Sequence, residues 1–138
     1  MKIHLTFLIL LVCISLTGCN DGKPITELKP ITLAELYPGD VKSIDQIELV
    51  DGSSGESKTV SNNEEIKTII KNIKDIKLIP DTNQEGRTGW LFRLKFYEKS
   101  NVKLDFTPHH MNGIYYENNS ELTLILKQLY KEKFGREF

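Results

Sequence analysis

The residues between Trp90 and Phe106 restrict the possible folds more than any other part of the chain. Trp90, Phe92, Leu94 and Phe96 alternate with Leu91, Arg93, Lys95 and Tyr97. After Glu98-Lys99-Ser100-Asn101 the alternation resumes, with Val102, Leu104 and Phe106 against Lys103 and Asp105. Successive side chains of a strand point to opposite faces. The pattern therefore predicts an antiparallel hairpin with one core face and one wet face, and its apolar side needs a covering layer.

Two helical stripes can supply that layer. Ile66, Ile69, Ile70 and Ile73 fall at i, i+3, i+4 and i+7 behind Ser61-Asn62-Asn63-Glu64, which has the spacing of a capping box led by Ser61. Leu122, Ile125, Leu126, Leu129, Tyr130 and Phe134 form a second stripe from about Ser120. Its start is capped within Asn118-Asn119-Ser120, Lys131 and Lys133 suit its C-terminal dipole, and Gly135 closes it.

Shorter strands are predicted over 41–50, 56–60, 76–79 and 114–116. Turns fall at Asp51-Gly52-Ser53-Ser54-Gly55 and over 107–113, and a polar loop covers 81–89. The order is β-β-α-β-β-β-β-α. The expected class is α+β, an antiparallel sheet with two helices packed on one face, in a single domain over 41–138.

With 138 residues the chain suffices for one ordinary domain. Its 18 Lys+Arg against 19 Asp+Glu lack the basic excess of a nucleic-acid-binding domain, so no nucleic-acid partner is expected. A 39% apolar and 27% charged composition with regular spacing argues against wholesale disorder.

The N-terminal residues concern location. Lys2 precedes an unbroken apolar run from Phe7 to Ile14. That is well short of the ~20 residues a membrane-spanning helix needs, and it reads as a secretory signal over 1–18. Leu16-Thr17-Gly18-Cys19 resembles the lipobox of bacterial lipoproteins. The resemblance implies a diacylglyceryl group with palmitate-type chains on the Cys19 sulfur, and cleavage between Gly18 and Cys19. It also implies a chain anchored in the cell membrane on its extracytoplasmic face. Cys13 would leave with the signal, and the lipidated Cys19 offers no thiol for a disulfide, a zinc site or a nucleophile.

Residues 19–40 carry Pro24, Pro30 and Pro38 and read as a tether reaching at most ~70 Å. One short helix interrupts it, capped by Thr32 and Glu35 and stopped at Pro38-Gly39. The alternative is an N-terminal arm packed along the domain. A signal, a tether and an α+β domain in this order are similar to small uncharacterised lipoproteins of Bacillus-type bacteria. The 15 lysines against 3 arginines suit such a host. The resemblance implies no activity.

Chemistry-bearing motifs are sparse. Gly52-Ser53-Ser54-Gly55 lacks the five positions of a nucleophile elbow. His109 and His110 are adjacent, so in an extended segment they diverge, and neither has a partner at metal-ligand spacing. An enzyme reading would rest on carboxylates such as Asp105 and Glu117. No catalytic, cofactor-binding or metal residue is assigned. Candidate partner-binding residues are Arg87 in the 81–89 loop and an aromatic-basic group, Arg93, Tyr97, Tyr115 and Tyr116, with Lys95 beside it. These tyrosines could instead pack at the sheet edge or under the last helix. The expected function is a non-enzymatic, membrane-tethered binding or interaction module with an exported protein as its partner. The alternative is a lipid-anchored inhibitor or immunity protein that inserts the 81–89 loop or the Tyr115-Tyr116 hairpin into an exported enzyme.

Overall fold

The alternation from Phe92 to Phe106 forms one central strand and one edge strand of a four-stranded sheet. The computed structural model describes residues 28–138; the signal expected over 1–18, Cys19 and the start of the expected tether lie outside the described residues. In chain order the elements are β1 (Ile31–Thr32), α1 (Leu33–Leu36), β2 (Gln46–Asp51), β3 (Ser57–Val60), α2 (Asn63–Ile73) and β4 (Lys77–Leu78). They continue with β5 (Phe92–Glu98), β6 (Asn101–Phe106), β7 (His110–Met111), β8 (Ile114–Tyr115) and α3 (Ser120–Phe134). The main sheet runs β3-β2-β5-β6, and β1-β4 and β7-β8 form two small ladders. All strand pairs are antiparallel, so the class is α+β.

One face of the sheet carries Ile47, Leu49, Phe92, Leu94, Phe96, Leu104 and Phe106. They share a single core with Ile66, Ile69, Ile70 and Ile73 of α2 and with Leu122, Leu126, Leu129 and Tyr130 of α3. Tyr130 joins helix to sheet. Its ring is fully buried against Phe92, at 4.7 Å between centroids. Its hydroxyl donates to the Arg93 carbonyl (2.6 Å) and accepts from the Arg93 N–H (3.1 Å). A buried phenol needs such partners, because an unpaired hydroxyl there would cost about 1–3 kcal/mol.

Several expectations are revised. The tether does not extend to residue 40: Leu33 and Tyr37 are buried, β1 pairs with β4, and the Ala34 N–H donates to the Lys74 carbonyl at 2.9 Å. The packed-arm alternative describes residues 31–37, and the Thr32/Glu35 capping box forms as expected. The cap of α2 is Asn62 rather than Ser61. The Asn62 carboxamide oxygen accepts from the N–H groups of both Glu64 and Glu65 (3.1 and 3.0 Å), so the helix starts one residue later with the same isoleucines buried. Residues 41–43 form a 3-10 turn capped by Asp40, and the strand begins only at Gln46.

Val102 is exposed because the pairing slips at the end of the hairpin. Phe96 faces Leu104 but Tyr97 faces Val102, which leaves Lys103 as an extra residue. A bulge of this kind moves the next side chain to the other face. The 107–113 turn contains β7, which makes a tight hairpin with β8 through Asn112 and Gly113 at φ 50° and 81°.

Candidate functional site

The 81–89 loop is exposed yet closely tied, and its ties build a groove. Asp81 starts it: one carboxylate oxygen accepts from the Asn83 N–H (2.9 Å), and Asn83 in turn accepts from the Glu85 N–H (2.9 Å). Short polar side chains closing backbone turns in this way are Asx turns. The Gln84 carboxamide then acts as a piece of strand. It accepts from the Tyr115 N–H and donates to the Tyr115 carbonyl, both at 2.9 Å. The Arg87 N–H donates to the Tyr115 hydroxyl (3.0 Å), and the guanidinium lies 5.2 Å from that ring's centroid. The guanidinium also donates to Asp81 (2.8 Å) and to the Asn83 carbonyl (2.7 Å). Asp81's carboxyl is held below the usual carboxylate range, first by the Asn83 N–H and next by Arg87.

Between this loop, the 107–110 turn and the first turns of α3 lies a groove of about 630 Å³. Phe92 and the buried Tyr116 belong to its floor, and Trp90, Leu91, His109, His110 and Tyr115 to its walls. Lys127 faces it from α3 with Thr123, one turn before it on the same stripe. His110 packs its ring on Tyr115, 4.5 Å between centroids. Arg87, Lys127 and two imidazoles thus share a lining with an exposed indole, and the one carboxylate in that lining, Asp81, is already paired with Arg87. The site offers N–H donors, positive charge and ring faces. Among the described residues no three His, Cys, Asp or Glu side chains gather where they could hold a metal ion.

The expected partner-binding residues separate into three places. Arg87 and Tyr115 meet at the groove. Tyr116 is 3% exposed, so it supports the groove from below and cannot be a contact surface; it follows the alternative of a packed tyrosine, and burial raises its hydroxyl pKa. Arg93 and Tyr97 lie on the wet face of the sheet, and both are partnered there. Arg93 grips Asp105 through two 2.7 Å bonds. The Tyr97 hydroxyl donates to Glu48 (2.6 Å), which also receives Lys95 (3.2 Å). That hydrogen bond is the first cause of Glu48's lowered carboxyl pKa and of Tyr97's raised one. Arg93 does not line the groove, but its guanidinium lies 5.6 Å from the ring centroid of Trp90, which does.

Sequence reasoning passed over Gln84, Trp90 and Lys127. Gln84 acts on a residue 31 positions away, and no local pattern announces that. The alternation places Trp90 on the core face, but the strand begins at Phe92 and leaves the indole 39% exposed. Lys127 has the spacing of an ordinary solvated helix face. Compared with known proteins, the chain matches no protein-family model, no curated protein and no solved structure.

Proposed function

We propose that this chain is a non-enzymatic binding module held at the extracytoplasmic face of the cell membrane by lipid on Cys19. Its ligand seat is the groove beside the 81–89 loop. One observation supports the seat above all. Arg87, Lys127, His109 and His110 line the groove around Trp90 with no free carboxylate among them. A pocket with a few convergent polar groups and aromatic walls is the usual form of a ligand site. This one suits a partner that brings negative charge together with a flat or apolar surface.

Trp90 is the sole tryptophan of the sequence, so its emission reports the groove directly. The lipidated chain in lipid nanodiscs would be titrated with acidic peptides and with uronic or phosphorylated oligosaccharides. A saturable change with one class, lost in an Arg87→Ala/Lys127→Ala chain of unchanged circular dichroism, is the expected result. An emission that no probe moves, or a change that survives the double substitution, overturns the seat. Saturable turnover of any bound probe overturns the non-enzymatic reading.

A second reading, the lipid-anchored inhibitor or immunity protein, is favoured by the state of the loop. Residues 82–91 are all exposed, yet Gln84, Arg87 and Tyr115 tie them down, and a plug inserted into an enzyme cleft gains from being rigid beforehand. Crosslinking on intact cells separates the two readings, with Cys19→Ala as control. Capture of one exported enzyme through the loop supports the inhibitor, and capture of none supports a small ligand.

A further inference from the structure

A second groove, of about 620 Å³, lies between the 41–43 turn and α2, and its chemistry is different. Val41, Ile44, Ile66 and Ile70 give it an apolar floor, and Ile44, Ile66 and Ile70 are buried. Four lysines stand around it: Lys42 from the turn, and Lys67, Lys71 and Lys74 from α2 and its cap. Asp45 is the one acid of the lining, and its carboxylate already accepts the Lys99 N–H at 2.7 Å. Lys67 and Lys74 each hold one exposed neighbour, Glu64 and Asp75. Lys42 and Lys71 are in no ion pair among the described residues.

The spacing is costly for the fold alone. Lys67, Lys71 and Lys74 stand four and three residues apart on one stripe of the helix, where like charges repel. Lysines near a helix C-terminus are favoured by its dipole, but that does not explain Lys42, which faces the same groove from a separate turn.

We propose that this lysine-rimmed groove rests on the anionic phospholipid headgroups of the membrane, as a second contact beside the lipid. Lysine stems can lie along an apolar floor while the ammonium groups reach phosphates, and a cluster of this size beside a membrane anchor is attracted to an anionic leaflet. The chain's path points the same way. Only twelve residue steps separate Cys19 from Ile31, at most about 43 Å of chain. The segment then enters the domain at Ala34, which itself lines this groove. An anchor at that distance makes even a weak headgroup contact effectively intramolecular. This last step rests on the lipid at Cys19; the charge match does not.

The test removes the lipid. The full chain carrying Cys19→Ser is floated with phosphatidylcholine vesicles, with and without phosphatidylglycerol. The apolar stretch from Phe7 to Ile14 acts alike on both, so the difference between them reads the chain's basic residues, and the lysine variants assign it to the groove or elsewhere. The difference is expected to be clear at low salt and to vanish at high salt. It should fall by at least about tenfold in a Lys42→Gln/Lys67→Gln/Lys71→Gln/Lys74→Gln chain, given roughly fivefold per lysine at an anionic surface. A chain with Lys58, Lys99, Lys103 and Lys131 changed to Gln should keep most of it. Equal partition onto both vesicles, or equal loss in both variants, overturns the proposal. Amine acylation of the Cys19→Ser chain needs no lysine variant: Lys42 and Lys71 should react more slowly than Lys103 on anionic vesicles, and equal slowing overturns the proposal. The mass of the wild-type N-terminal peptide tests the lipid separately, so a missing anchor and an inert groove give different results.

Discussion

Asp51 is the one buried charged side chain among the described residues, at 0% exposure. It continues the core face after Ile47 and Leu49, where the alternation of β2 calls for an apolar residue. The turn that follows satisfies it. One carboxylate oxygen accepts from the Ser53 N–H (2.8 Å) and hydroxyl (2.6 Å), and the other from the Ser54 hydroxyl (2.7 Å) and the Arg136 guanidinium. The serines of Gly52-Ser53-Ser54-Gly55 therefore solvate a buried carboxylate, and Arg136 closes the C-terminal residues over it. Asp51→Ala should cost about 3 kcal/mol in urea unfolding, because it leaves two hydroxyls and an N–H without their acceptor. Arg136 is 41% exposed, so Arg136→Ala should cost less, about 1 kcal/mol, and almost nothing further once Asp51 is alanine. Equal and additive losses would show that the pair is not coupled. Gly52 is constrained by space: an added Cβ would lie 1.9 Å from the Trp90 carbonyl oxygen. Gly52→Ala should destabilise by about 1–3 kcal/mol, as overpacking does, and should shift the Trp90 emission by displacing the backbone beneath the indole.

At the scale of elements, the periodic segments were legible and the irregular ones were not. The isoleucine stripe of α2 buries every residue its period assigns, the alternation of β5 buries Phe92, Leu94 and Phe96 but not Trp90, and the stripe of α3 buries Leu122, Leu126, Leu129 and Tyr130 with Ile125 and Phe134 partly covered, because one apolar face fixes register. Val102 fits the pattern equally well but lands outside, since the bulge at Lys103 leaves no mark in the hydrophobic order. Leu104→Ala should therefore cost about 2–5 kcal/mol, and Val102→Thr less than about 0.5 kcal/mol. A Val102 effect approaching that of Leu104 would place the valine back in the core. Asn112-Gly113 was a readable hairpin signal absorbed into a longer turn. The wet face of the sheet contributes to the pH dependence through Glu48. Glu48 has a folded pKa below its ordinary value near 4.5, held there first by the Tyr97 hydroxyl and then by Lys95. A depressed carboxyl stabilises the fold above its unfolded pKa, and that contribution is lost as pH falls through the folded value. Tyr97→Phe should reduce the loss of stability between neutral and acid pH, and a slope unchanged from wild type would assign the effect to other carboxylates.

For the whole molecule, the decisive point is where the domain begins. The proline-rich composition of 19–40 reads as tether, and composition cannot reveal that Leu33 and Tyr37 fill sites prepared by residues far along the chain. Tyr37 is 4% exposed, tilts against Phe96 at 6.4 Å between centroids and donates to Glu98 at 2.7 Å. The candidate site was illegible for the same reason: its groove is made by Gln84 and Arg87 meeting Tyr115, a pairing of loops separated by about thirty residues. Deleting the arm tests this arrangement. Loss of a buried leucine costs about 2–5 kcal/mol and of a large buried aromatic about 3–5 kcal/mol, against a total stability of roughly 5–15 kcal/mol. A chain starting at Val41 should thus lose most of its near-ultraviolet circular dichroism and its cooperative melt, whereas one starting at Leu28 should keep both. Equal melting of the two would return residues 31–40 to the tether. If the arm is required, about twelve residue steps rather than some twenty separate Cys19 from the folded domain. With the lipid proposed at Cys19, those steps would hold the domain within about 43 Å of the sulfur, the reach that the proposed headgroup contact of the lysines beside the arm requires.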